Sequence, residues 1–353
     1  LCPNFTRCGG CDLQHLSNEK ILDFKTHLVA NALSNIGHID VTDKVRPCIG
    51  LNEYHYRNKF SFPIGYKNNT GFVGMYKENS HDIIPITDCY IQAPWAKPII
   101  DSFNDFLSKG YNTIYNETNH TGLIKHLVCR MEDDQLLVCV VINGDKLNHY
   151  QELIDSISKH FKHFGLMINI NKLANNVILT DKYNYLYGLK TIKLNTNDIK
   201  FEISLNSFMQ VNTPIANAIY TQAQNLISGK MIVNAFSGAG LLSAYLAKTA
   251  KKVYGIEIVE SSHINAENLR INNHIDNLTN ILGDVSIELP KISDFDSIVL
   301  DPPRKGCARP VLDTILQVAP NNIVYISCDP ATLSRDIGIL KEKYDLVFAQ
   351  PYD

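Results

Sequence analysis

An α/β fold is predicted for residues 206–353, a doubly wound and mostly parallel sheet, preceded by a separate α+β domain over residues 1–205. Three observations carry this. From Met231 onward, short apolar runs alternate with helix-patterned segments, the rhythm of parallel strands joined by crossover helices. Three of those runs stop abruptly at polar, Gly- or Pro-containing turns: NAFSGAG, DPPRKG and ISCDPAT. Before residue 205 the pattern changes to β-rich segments joined by Gly and Asn turns, with two long helical stretches.

In order, the first half predicts a helix over 19–36, strands over 60–66 (FSFPIGY) and 70–76 (TGFVGMY), and a helix over 96–109. Strands HLVCRM (126–131) and LLVCVVI (136–142) follow. The second half predicts strand 231–236 and helix 241–250, then strand 252–258 and helix 261–274, then strand 278–284. Strand 296–301 and helix 309–319 come next, then NIVYISC (322–328), a helix over 330–344 and a last strand, YDLVFAQ (344–350). Internal repeats and low-complexity tracts are absent from the sequence.

With 353 residues, 45% hydrophobic and 20% charged, the chain has core enough for two domains. No apolar stretch approaches the ~20 residues that cross a bilayer. Leu1–Phe5 lacks the basic and apolar regions of a signal peptide, and the chain starts without Met, so its natural beginning is expected upstream. Nine cysteines without signs of secretion suggest a reducing, cytoplasmic setting, where thiols serve metals or catalysis. A net charge of −3 gives no global support for nucleic-acid binding, although a local basic patch can carry it. A monomer is expected.

Cys2, Cys8 and Cys11 stand as C-x5-C-G-G-C, and Cys89 follows in ITDCYIQ. Three clustered thiols and a remote fourth suit tetrathiolate ligation of zinc or of an iron–sulfur cluster, and spacing alone does not choose. Gly9 and Gly10 permit a tight wrap that brings amides near the sulfurs. Cys129 and Cys139 lie in apolar strand patterns and are expected in the core.

Further on, MIVNAF runs into Ser237-Gly238-Ala239-Gly240 and a helix, a turn through which a backbone approaches a nucleotide or amino-acid tail closely. The next strand ends near Glu257, placed to accept hydrogen bonds from ribose hydroxyls, and the third ends at Gly283-Asp284, near where an adenine would lie. Asp301-Pro302-Pro303-Arg304 follows DSIVL; its prolines stiffen the loop, and Arg304 and Lys305 can meet an anion. Cys328 ends an apolar run just before a helix, whose N-terminal potential is expected to favour a thiolate. In SFMQVNTPIA, Phe208, Gln210 and Asn212 precede a helix, and the Gln210 amide offers both donor and acceptor. Tyr56, Arg57 and Lys59 in HYRNKF are candidates for holding nucleotides by stacking and phosphate contacts.

Taken together, CGGC with its flanking cysteines, F-x-Q-V-N, G-x-G, DPPRKG and SC-D-P-A-T-L-x-R-D resemble, in order and over nearly the whole chain, the RNA uracil-C5 methyltransferase family. The resemblance implies a Rossmann-like class I methyltransferase domain that uses S-adenosylmethionine. The most similar branch carries a [4Fe–4S] cluster and acts on 23S ribosomal RNA, at a uridine in an unpaired loop. It implies Cys2, Cys8, Cys11 and Cys89 as cluster ligands and Cys328 as nucleophile. Gln210, Phe236, Gly238, Gly240, Glu257 and Asp301 match cofactor-binding positions, with Asp284 a weaker addition. It also suggests that a helix within residues 15–45 packs on the catalytic domain. The chemistry agrees, because uracil C5 is a poor nucleophile until a thiolate adds at C6.

Asn234 and Ser237 depart from the family's usual acid and cysteine. The glutamate that removes the C5 proton is expected beyond Asp353, and the family's TRAM-type RNA-binding domain is absent from this stretch. Rival readings are a tRNA uracil-C5 methyltransferase, a base N-methyltransferase, an RNA m5C enzyme and a noncatalytic RNA-binding iron–sulfur protein. Arg304, where N-methyltransferases often place an aromatic residue, disfavours the second of these.

Overall fold

The computed structural model describes residues 1–353 apart from Phe208, the first residue of the F-x-Q-V-N segment. Helix α1 (Asn18–Asn35) begins at Ser17, whose hydroxyl caps the Lys20 amide. A seven-stranded sheet follows, built from β1 (Lys59–Lys67), β2 (Thr70–Tyr76), β3 (Ile83–Pro85), β4 (Ile124–Glu132), β5 (Gln135–Ile142), β6 (His163–Ile170) and β7 (Tyr183–Gly188). Its order is β3-β2-β1-β4-β5-β6-β7. Only β5 and β6 run parallel, because α3 (Tyr150–Ser158) carries the chain back between them. Asn68 and Asn69 take positive φ between the antiparallel β1 and β2, which suits a two-residue hairpin.

Strand β5 shows why this sheet is stable. Leu136, Val138, Val140 and Ile142 are buried against α2 (Ala96–Ser108) and α3, whereas Leu137, Cys139 and Val141 are buried on the opposite face. There they meet Ile192, Leu194 and Ile203 of a hairpin, β8 (Ile192–Thr196) and β9 (Ile199–Ile203). A strand covered on both faces reads as a continuous apolar run, as LLVCVVI does. Cys129 on β4 and Cys139 on β5 are completely buried.

The second sheet has five parallel strands in the order β12-β11-β10-β13-β14: β10 (Met231–Ala235), β11 (Lys252–Glu257), β12 (Leu278–Leu282), β13 (Ser297–Leu300) and β14 (Asn322–Tyr325). Helices α7 (Val285–Glu288), α8 (Arg309–Val318) and α9 (Pro330–Leu340) supply core on one face, with α4 (Thr213–Leu226) and α5 (Leu241–Ala247) on the other. Helix α6 (Glu260–Asn272) joins β11 to β12. This is a doubly wound α/β arrangement, as the alternating pattern predicted.

YDLVFAQ is different, because it adds no strand to this sheet. Residues 349–353 instead bridge residues 45–49, through Arg46 N–H to Ala349 O (3.0 Å) and Ile49 N–H to Pro351 O (3.0 Å). Val347 is 83% exposed, so the run is not buried core. Strand β14 is therefore an edge strand and only half-buried. Helix α1 lies along α9, where Lys341 Nζ donates to the carbonyls of Gly37 (3.1 Å) and His38 (3.2 Å).

Candidate active site and thiol cavity

In the five-stranded sheet, β10 is flanked by β11 on one side and β13 on the other, so the strand order reverses between the loops that follow β10 and β13. That crevice is where open α/β sheets bind ligands. Phe236, Gly238 and Gly240 all take positive φ after β10, which turns the chain sharply into α5. A Cβ at Gly240 would lie 2.8 Å from that of Ala266, whereas one at Gly238 would meet nothing within 4 Å. Packing thus requires the second glycine, and open space lies beside the first.

Glu257 is buried and ties this turn: one carboxylate oxygen accepts from Gly238 N–H (2.9 Å) and the other from Val259 N–H (2.7 Å). Each oxygen keeps a further lone pair. Asp284 is exposed and caps α7, one oxygen accepting from Ser286 N–H (2.8 Å) and Oγ–H (2.7 Å), which holds its carboxyl below the usual range. Asp301 accepts no hydrogen bond on its carboxylate among the described residues, and burial pushes its pKa up to about 6. Arg304 and Lys305 are exposed.

Cys328 is an exposed free thiol three residues beyond the end of β14, not at the end of a buried strand. The first-turn donors of α9 do not wait for it: Asp329 accepts from both Ala331 and Thr332 N–H (2.9 Å each). The expected support from the helix terminus is thus spent locally. Gln210 is exposed, with its carbonyl accepting from Asn58 Nδ2 (3.1 Å), and Asn212 caps α4 at Ile215 N–H (3.4 Å).

The loop holding Asp301 and the helix after Cys328 are knitted together by Thr332, Arg335 and Asp336, which belong to the SC-D-P-A-T-L-x-R-D motif but received no role of their own from the sequence. Asp336, fully buried, accepts from Cys307 N–H (2.7 Å), the Tyr325 hydroxyl (2.6 Å) and Arg335 Nη2 (2.7 Å). Arg335 also reaches the Lys305 carbonyl (2.9 Å), and Thr332 the Arg304 carbonyl (3.0 Å). Gly306 must be glycine, with φ +74° and its Cβ position 2.6 Å from Arg335 Nη2. The Arg-Asp pair in an otherwise apolar helix was the available signal.

All four cysteines, Cys2, Cys8, Cys11 and Cys89, line one cavity of about 190 Å³. Burial pushes the Cys89 thiol up to about 11, and the neighbouring Cys11 and Cys2 raise it further. Cys11 is likewise raised by burial and then by Cys8 and Cys2. Backbone N–H groups of Gln92 and Ile91 point at Cys89, that of Gly10 at Cys8, and Gln14 Nε2 at Cys11 Sγ (3.7 Å). Ser61 Oγ and Gln92 Oε1 are buried there without a hydrogen-bond partner among the described residues. Among the described residues no three His, Cys, Asp or Glu side chains converge closely enough to hold a metal ion. The structure therefore does not by itself show the expected metal site: the thiols ring a space rather than a point.

HYRNKF is not an open strand for RNA. Arg57 lines the thiol cavity, and Lys59 spends its ammonium on the Leu205 carbonyl (2.6 Å). Among the described residues no helix is long and apolar enough to cross a membrane.

Residues 22–288 and 285–349 match the family model described as tRNA (uracil-5-)-methyltransferase. An uncharacterized RNA methyltransferase of Clostridium acetobutylicum is 37% identical over 366 residues, covering 100% of this chain and 80% of its own length. One of Halalkalibacterium halodurans is 37% identical over 365 residues, covering 100% and 79%. The crystal structure of the Pyrococcus abyssi tRNA (uracil-54, C5)-methyltransferase in complex with S-adenosyl-L-homocysteine has a TM-score of 0.76 and 21% identity. That likeness, over 94% of this chain and 79% of that one, is one of fold. The chain thus belongs to the tRNA (uracil-5-)-methyltransferase family.

Proposed function

We propose that this protein methylates carbon-5 of a specific uridine in RNA, that the RNA is 23S ribosomal RNA, and that S-adenosylmethionine is the methyl donor. The carrying observation is the convergence, on adjacent loops at the carboxyl end of a parallel sheet, of a glycine turn tied by Glu257, the half-buried carboxyl of Asp301 and the exposed thiol of Cys328. The residues fit the donor. Gly238 leaves open space, Glu257 has acceptor capacity for ribose hydroxyls, and Asp301 lacks a protein partner. Phe236, Gly240 and Gln210 complete this side, and Asp284 borders it. When bound, S-adenosylmethionine supplies an electrophilic methyl group.

In this reading the Cys328 thiolate adds to C6 of uracil, and the π-electron pair of the C5–C6 double bond moves to C5, which would take the methyl as its bond to the donor's sulfur breaks and S-adenosylhomocysteine leaves. A base then removes the C5 proton, the C5–C6 double bond re-forms and Cys328 leaves as thiolate. The target uridine must be unpaired or flipped out, since C6 of a stacked base is hidden. Cys2, Cys8, Cys11 and Cys89 would hold a [4Fe–4S] cluster; the converging amides and the unpartnered Ser61 and Gln92 suit a group larger than one ion. No step of methyl transfer needs an electron, so its contribution is to hold the loops of the first domain. A cytoplasmic monomer accords with nine free thiols.

The tRNA reading has its own support in the family description and in the substrate of the Pyrococcus abyssi enzyme. Unmodified 23S rRNA and tRNA transcripts, each incubated with methyl-labelled donor and mapped by mass spectrometry, separate the two. Transcripts carrying 5-fluorouridine test the chemistry, because fluorine cannot leave as a proton and the adduct persists through denaturation. A persistent adduct in Cys328→Ala would refute the nucleophile assignment.

A further inference from the structure

Arg130 and Lys59 of the first sheet, with Asn58 just before β1, spend donors on the backbone that enters the second. Arg130 on β4 is 1% exposed, and its Nη1 donates to the carbonyls of Ser207 (2.9 Å) and Ser204 (3.3 Å), its Nη2 to that of Met209 (3.5 Å). Lys59 lies opposite it in register on β1 and donates to Leu205 O (2.6 Å). Asn58 donates its backbone N–H to Val211 O (2.9 Å) and its Nδ2 to Gln210 O (3.1 Å) and Thr213 Oγ1 (2.9 Å). Glu132 accepts from the Thr213 hydroxyl (2.6 Å). The described part of the segment between β9 and α4 has no regular secondary structure. Six of its carbonyls are claimed by Arg130 on β4, Lys59 on β1 and Asn58 just before it.

Such a network is expensive. Burial draws the Arg130 guanidinium down to about 10 and the Lys59 ammonium to about 8, and neither has a carboxylate bonded to it. Apolar side chains at the same strand positions would pack without that desolvation cost. Donors in a forked array, however, define the path of a segment whose own described hydrogen bonds are confined to the turn between Ser204 and Ser207, and that segment carries Gln210.

We infer that Arg130, together with Asn58 and Lys59, is a positioning residue that holds segment 204–213 so that Gln210 meets the methyl donor. The first domain then builds one wall of the cofactor site, in addition to any contact with RNA. This rests on reading Gln210 as a contact of the donor.

The test is calorimetric titration with S-adenosylhomocysteine, alongside thermal melting, for Arg130→Met, Arg130→Lys, Asn58→Ala and Gln210→Ala. Leu136→Ala, a core truncation in β5, serves as a control for lost stability. Arg130→Met and Asn58→Ala are expected to weaken binding roughly ten- to hundredfold, the range for misplaced binding groups. Arg130→Lys, which keeps the charge but not the fork, should recover only part. Leu136→Ala should bind as the parent does, despite melting lower.

Parent-like affinity in folded Arg130→Met and Asn58→Ala, with Gln210→Ala weakened, overturns the positioning role. So does a loss that Leu136→Ala reproduces at equal melting temperature. Unchanged affinity in Gln210→Ala instead removes the reading of Gln210 and the proposal with it. Should Arg130→Met fail to fold, Asn58→Ala and Lys59→Met carry the same comparison.

Discussion

Asp301 shows at the scale of one residue how a site is held at a cost. Its pKa is about 6 in the folded chain against 3.8 in the free one, because the carboxylate is desolvated. Between those values the native state binds more protons than the unfolded chain, so the contribution falls as pH rises from about 4 to about 6 and stays low above that. At about 1.4 kcal/mol per pH unit, the ionised group costs at most about 3 kcal/mol. Asp301→Asn should therefore raise stability at pH 7 by about 1–3 kcal/mol and lose that advantage near pH 4, while weakening S-adenosylhomocysteine binding. Urea unfolding at the two pH values checks the first part; a variant equally stabilised at both would contradict the burial argument. Asp336 is the counter-case, a buried carboxylate supplied with Cys307 N–H, Tyr325 O–H and Arg335. Asp336→Ala should cost about 2–4 kcal/mol in the same assay, since several donors lose a charged acceptor.

Among the elements, the turn from β10 into α5 determines whether the glycine loop exists. Gly240 has φ +86° and its missing Cβ would lie 2.8 Å from that of Ala266 on α6. An alanine there carries the left-handed backbone penalty of about 1–2 kcal/mol, and α5 and α6 must also part. Gly240→Ala is expected to lower stability and abolish detectable S-adenosylhomocysteine binding. Gly238→Ala, with nothing within 4 Å, meets only the backbone penalty in the free protein. Its ligand affinity should fall further than its stability predicts if a ligand occupies that space. Comparable losses for the two properties would show that the space is not used.

For the molecule as a whole, the thiol cavity and the sheet crevice sit on different domains; Arg57 lines the cavity, and the adjacent Asn58 bonds the segment that leads into α4. A group bound by native thiols and not by the unfolded chain stabilises by mass action. Anaerobic protein should carry about four irons with matching sulfide and melt higher than its chelator-stripped form. Cys89→Ala should lose both the iron and the difference in melting temperature. Stoichiometric zinc without sulfide would replace the cluster in this account.

Much was determined by the sequence alone. Apolar runs alternating with helical segments sufficed for the parallel sheet, since a strand buried on both faces has to be largely apolar, as Ile298, Val299 and Leu300 in β13 are. That the glycine turn, Glu257 and Asp301 follow or end their strands was legible from where the apolar runs stop, whereas Cys328 lies three residues beyond β14 and not at its end. Pairing was not legible wherever it depended on a distant partner. YDLVFAQ has strand composition, yet residues 349–353 bridge 45–49, and β14 is left as an edge. HYRNKF looks like a basic, exposed strand, yet Lys59 turns inward to a carbonyl 146 residues away in sequence. Local propensity records what a segment can do by itself. Only the folded chain decides which distant backbone its side chains must satisfy, because a buried donor has to find an acceptor wherever the fold provides one.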